Sequence, residues 1–111
     1  MHENDKPVLI YSTFPDADCA QKVGADLVSR GLSACVNILP GMTSIYRWRG
    51  EVTTALEVVM LIKTRSGLVD GAVSAVREQH PYETAAILVV PVAGGSEPYL
   101  AWIMANTQIR S

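Results

Sequence analysis

The sequence predicts an α+β domain built on one antiparallel four-stranded sheet, with both main helices on a single face. Three observations carry this prediction. The apolar periodicity alternates between strand and helix in the order strand, helix, strand, strand, helix, strand. The central two strands are joined only by Arg49-Gly50, a pair suited to a tight hairpin. The first of those strands belongs to an apolar run over residues 32–50 that is broken only by Pro40-Gly41. Proline lacks the ladder N–H and glycine weakens a strand interior, so that pair reads as a bulge inside one long strand.

Taken in order, residues 1–6 read as a disordered tail and residues 7–111 as one domain. Residues 7–14 (PVLIYSTF) form a first strand with apolar side chains on both faces, as in a covered central strand. Asp16 offers an N-cap to a helix whose inner stripe is Ala20, Val23, Gly24, Leu27 and Val28. Arg30-Gly31 closes that helix with a left-handed terminator. The long strand follows over 32–48, and a third strand runs over 51–64. On the third strand Leu56, Val58, Met60 and Ile62 share one face, while Val59 and Leu61 take the other. Ser66 caps a second helix through Gln79, with Leu68, Val69, Ala72, Val73 and Val76 inward. His80-Pro81 ends it, because a residue before proline avoids the α region. Residues 84–92 make a fourth strand with Pro91 near its end, and Ser96 and Pro98 open a short C-terminal helix to about Asn106. This order is the ferredoxin-like βαββαβ pattern.

The hairpin has a consequence for assembly. About sixteen residues of strand at ~3.3 Å each span ~50 Å. A domain of this size is roughly 35 Å across, for a radius of gyration of about 13 Å. The strand therefore overhangs its own domain. Hydrophobic residues make up 49% of the 111 and charged residues 18%, and the first, third and fourth strands are apolar on both faces. Helices cover only one face, so a second copy of the chain is the simplest cover for the other.

Composition narrows the function. The net charge is −2 with lysines and arginines dispersed, which argues against nucleic acid and anionic membranes as partners. No apolar run reaches the length of a membrane span. MHENDKP lacks an apolar h-region, so no signal peptide is expected. Cys19 and Cys35 then read as free thiols in a cytoplasmic protein. Phosphate-loop, nucleophile-elbow and HExxH patterns are missing, and no enzymatic activity is expected.

Five segments in order resemble one known family. They are ACVNILPG (34–41), SIYRWRG (44–50), EVVMLIKT (57–64), HPYE (80–83) and PYLAW (98–102). In these the chain resembles the CutA family of divalent-cation tolerance proteins. The resemblance implies a homotrimer of ferredoxin-like subunits, similar in architecture to the PII signalling proteins, and a function in binding copper or other divalent cations. Some relatives are thought to hold copper with a cysteine on the first strand and a paired histidine before Pro-Tyr. By alignment of motifs those positions are Ser12 and Gln79 here, which leaves His80 from that set.

The residues themselves offer two constellations. His80, Glu83 and Cys35 are the candidate metal ligands, since imidazole and thiolate suit copper and a carboxylate three residues beyond the histidine could fold back. The competing readings are a helix-terminal cap for His80 and core packing for Cys35. Cys19 sits beside the inner stripe of the first helix and has no identifiable partner. Trp48, Glu57, Lys63 and Tyr82, with Tyr46 and Arg47 nearby, form a possible ligand cleft, against which stands plain interface packing. The sequence thus predicts a homotrimeric divalent-cation or copper tolerance protein that binds metal weakly. The alternative is a PII-like effector-binding or protein-interaction module in which metal is incidental.

Overall fold

The computed structural model describes residues 5–108. The tail expected over 1–6 and the last residues of the domain therefore lie partly outside the described residues. Strand β1 is Pro7–Phe14, helix α1 Ala17–Ser29, β2 Cys35–Trp48 and β3 Glu51–Arg65. A 3-10 turn at Ser66–Leu68 leads into α2, Val69–Gln79, followed by β4, Ile87–Pro91, and α3, Glu97–Ala105. The strands form one sheet in the order β2-β3-β1-β4, antiparallel throughout. This is the βαββαβ order expected from the sequence.

The core lies between the sheet and the α1/α2 layer. Ile10 and Phe14 of β1 and Val58, Met60 and Ile62 of β3 meet Ala20, Val23 and Leu27 of α1 and Leu68, Ala72 and Val76 of α2. Helix α1 sits close on β2, because a Cβ on Gly24 would stand 2.8 Å from Val36 Cγ2. On the other face α3 covers one end of the sheet, where Lys63 and Arg65 bond Tyr99, Thr107 and the Met104 carbonyl.

Several boundaries differ from expectation for physical reasons. Residues 32–34 precede β2 rather than start it. The Leu32 and Gly31 amides donate to the Leu27 and Val28 carbonyls around Gly31 at φ +73°, which is a Schellman termination of α1. Asp16 caps α1 as expected, accepting from the Cys19 amide at 2.8 Å. Val28, expected inward, is exposed at the edge of the stripe. Ser66 does not cap α2. Its amide and hydroxyl instead bond Lys6, and Asp5 lies against Ser66, Gly67 and Arg65. Asp5 and Lys6 are thus fixed to the start of the 3-10 turn rather than free in a tail. Strand β4 begins only at Ile87, because residues 80–84 form a turn of their own.

The hairpin overhangs as expected. Its register shifts between Leu39 and Met42, where Pro40 and Gly41 (φ +80°) form the bulge. The chain measures 45 × 25 × 22 Å with a radius of gyration of 14.7 Å, longer than a compact domain of its size. Leu56 shares the face of Val58, Met60 and Ile62 but lies beyond the reach of the helices, so it is 74% exposed. On the same face of the hairpin Val52, further along β3, and Ile45, diagonally across on β2, are 66% and 70% exposed. On the open face Leu39, Trp48, Leu88 and Val90 are also exposed.

Candidate functional site

The turn after α2 is built around His80. Its backbone leaves the helix at ψ 135°, as a residue before proline must. The ring stacks on Phe14 with centroids 4.5 Å apart. The Tyr82 amide donates to Nδ1 at 3.1 Å, so Nδ1 carries a lone pair and Nε2 carries the proton. Nε2–H then donates to the Thr13 carbonyl at 2.6 Å. Both ring nitrogens are therefore engaged, and they lock the HPYE turn onto the end of β1.

Tyr82 carries the turn onward to β3. Its hydroxyl donates to Glu57 Oε2 at 3.1 Å. Burial, the bond to Glu57 and that carboxylate's charge push the Tyr82 phenol up to about 12, so it remains a donor at neutral pH. Glu57 stands opposite Met42, beside the bulge. Between the HPYE turn, the end of β1 and the bulged part of β2 lies a groove of about 710 Å³ on the open face. Tyr11, Tyr46, Trp48, Glu57, Tyr82 and Glu83 line it.

The structure thus joins three of the four expected cleft residues, Trp48, Glu57 and Tyr82, and adds Glu83 from the other constellation. Lys63 does not belong there. It lies six residues further along β3, roughly 20 Å away at strand rise. Its ammonium instead donates to Tyr99 Oη at 3.0 Å, a bond that pushes the Lys63 pKa up against the opposing effect of burial. Arg47 is spent on the hairpin turn, donating to the Gly50 carbonyl at 3.3 Å. Tyr11 was missed by sequence reasoning. The signal was available, because alternation along β1 puts Tyr11 and Thr13 on the face opposite Ile10 and Phe14.

The candidate metal ligands are only partly brought together. His80 and Glu83 share the turn, but Cys35 pairs with Lys63, four residues along β3 from Val59, the partner of Thr13. That offset is about 13 Å at strand rise. Among the described residues no group of three His, Cys, Asp or Glu side chains is arranged to hold a metal ion. Ser12 faces the helices between Met60 and Ile87, fully buried, with no hydrogen-bond partner for its hydroxyl among the described residues. Gln79 braces α2 against α1 by donating to Asp26 Oδ2 and to the Ala75 carbonyl, both at 3.0 Å.

Residues 8–106 match the family model of the CutA1 divalent ion tolerance protein. The chain belongs to the CutA family. It is 41% identical over 98 residues to Protein CutA of Mus musculus, covering 88% of this chain and 55% of that protein. The chain thus spans about half the length of its mammalian relatives. It is 40% identical over 107 residues to the divalent-cation tolerance protein CutA of Pectobacterium atrosepticum, covering 93% of this chain and 97% of that one. The fold superimposes on the crystal structure of CutA from Xylella fastidiosa with a TM-score of 0.90 at 38% identity, over 93% of this chain and 99% of the other. The βαββαβ order and the long β2–β3 hairpin therefore match those of CutA structures. No helix among the described residues is long and apolar enough to cross a membrane.

Proposed function

We propose that this CutA chain acts in divalent-cation tolerance as a homotrimer that binds copper or another divalent cation weakly, without catalysing a reaction. Family membership over residues 8–106 supports the tolerance role. The observation that carries the metal reading is the HPYE turn, which holds His80 and Glu83 on one loop and reaches Glu57 through the Tyr82 hydroxyl. A cation ligated by His80 Nδ1 has to displace the Tyr82 amide, which accounts for weak affinity. Cys35, the third candidate, contributes only through a rearrangement or a neighbouring subunit. Copper is favoured over zinc for such a mixed set by the Irving–Williams order. The unpaired thiols Cys19 and Cys35 fit a reducing compartment, in keeping with the cytoplasm.

Competition between the untagged protein and a chromogenic chelator tests this reading. His80→Ala should weaken copper binding at least ~10-fold, since even the loss of an outer-shell partner costs that much. The same variant should leave the oligomer intact, and Cys19→Ala should change nothing. Equal copper affinity in wild type and His80→Ala would contradict the metal site.

The aromatic groove favours a second reading, a PII-like module that binds a small effector or a partner protein while metal is incidental. Its size falls in the range of small-molecule sites, and its polar groups are few and convergent.

A further inference from the structure

We infer that Arg65, Ser66 and Gly67 form a carboxylate-binding seat that the chain's own Asp5 occupies as a tethered ligand. The seat lies at the opposite end of β1 from the HPYE turn, roughly 20 Å away at strand rise, and rests on neither the metal nor the effector reading. Asp5 Oδ1 accepts from the Gly67 amide at 2.9 Å and from the Ser66 hydroxyl at 3.2 Å. Oδ2 accepts from Arg65 Nη1 at 3.1 Å. Each oxygen of one planar carboxylate thus has its own donor. The Asp5 and Arg65 side chains are each 6% exposed within the single chain, so no neighbouring subunit is needed to close the seat.

Two features separate this seat from an ordinary ion pair. The guanidinium is held independently of Asp5, because Nε donates to Thr107 Oγ1 at 3.0 Å and Nη2 to the Met104 carbonyl at 2.8 Å. The C-terminal helix and the residue just beyond it therefore fix the cation and leave Nη1 to meet an anion. Gly67 is the second feature. It is not among the glycines with positive φ, so its backbone does not call for glycine. A Cβ there would stand 3.1 Å from Asp5 Oδ2 and 3.3 Å from Oδ1, so position 67 is left open for the carboxylate. The occupant comes from the N-terminal segment, which lies beside the seat through the Lys6 amide to Ser66 Oγ and the Ser66 amide to the Lys6 carbonyl. Ser66 and Gly67 are exposed, so withdrawing that segment opens the seat to solvent. Tethering gives Asp5 a high effective concentration, and a free carboxylate enters only when the segment is withdrawn. The N-terminal segment acts as a plug. The donors serve two oxygens of a planar group, which makes the ligand class a small carboxylate.

Amide proton–nitrogen spectra of the whole chain in its assembled form test this inference, with acetate as the probe and chloride at matched ionic strength as the control. Combining Glu3→Gln with Asp5→Gly empties the seat and removes the nearest other acidic side chain in the sequence. In that variant acetate should move the Gly67 amide downfield, saturably, toward its wild-type position, and chloride should not. In the wild type acetate should leave the same resonance in place. Adding Gly67→Ala to the emptied variant should weaken acetate binding about tenfold or more, because the new Cβ takes the carboxylate's space. A Gly67 amide that answers acetate no more than chloride would overturn the assignment. So would saturation by inorganic phosphate without saturation by acetate. An equal acetate response in the wild type would refute the plug. If the emptied variant does not assemble in chloride, refolding it in acetate should restore assembly, and failure there would overturn the assignment equally.

Discussion

Arg65 ties the N-terminal segment to the C-terminal helix through a buried ion pair. Its guanidinium bonds Asp5 Oδ2 at 3.1 Å, Thr107 Oγ1 at 3.0 Å and the Met104 carbonyl at 2.8 Å. Both members of the Asp5–Arg65 pair have side chains only 6% exposed. Burial by itself would raise the Asp5 pKa, but the Gly67 amide, the Arg65 charge and the Ser66 hydroxyl outweigh it and hold it below its ordinary value. A lowered folded-state pKa means that the unfolded chain takes up the proton first. Asp5 therefore contributes stability that is fully present above the unfolded pKa of about 3.9 and lost as pH falls through the lower folded value. Asp5→Ala should cost about 3 kcal/mol near neutral pH, as breaking a buried pair leaves a charge unpaired. Asp5→Asn should flatten the acid limb of a pH–stability profile, and an unchanged profile would refute this role. Nothing in the sequence announced the pair, since MHENDKP reads as a polar tail and its partner is sixty positions away.

At the scale of elements, the hairpin tip is the most constrained piece of backbone. Arg49 and Gly50 both have positive φ, 50° and 81°, the signature of a two-residue turn whose twist matches its strands. A valine at position 50 would bring a β-branched side chain into the left-handed region. Gly50→Val should therefore cost roughly 1–2 kcal/mol, read as a lower melting temperature with local change in register. Unchanged melting would mean that the tip is not held as described. The elements were legible because their signals are local: alternation over β1 and β3, the Asp16 cap, Gly31 and Pro81. The missed boundaries came from contacts that are remote or in competition. Ser66 serves Asp5 and Lys6 rather than α2, and Leu32 closes α1 rather than opening β2. The candidate site was legible for the same reason only in part. HPYE and Trp48 lie in recognisable segments, but Lys63 and Glu57 share a strand face, and only the bulge and the HPYE turn show which of them reaches the groove.

At the scale of the whole molecule, the exposed apolar surface decides the account. Ile45, Val52 and Leu56 lie together on the overhanging hairpin, and Leu39, Leu88 and Val90 on the open face. Each such side chain, fully buried, would contribute about 1.5–3 kcal/mol, so covering both patches yields more than enough to hold subunits together. The surface is long, apolar and split between two faces, which suits a hairpin laid against neighbouring copies around a closed ring. The measurement that bears most directly on this is sedimentation equilibrium of the untagged protein at micromolar concentration. A single species of three times the chain mass, with no detectable folded monomer, is expected. A well-folded monomer under those conditions would contradict it.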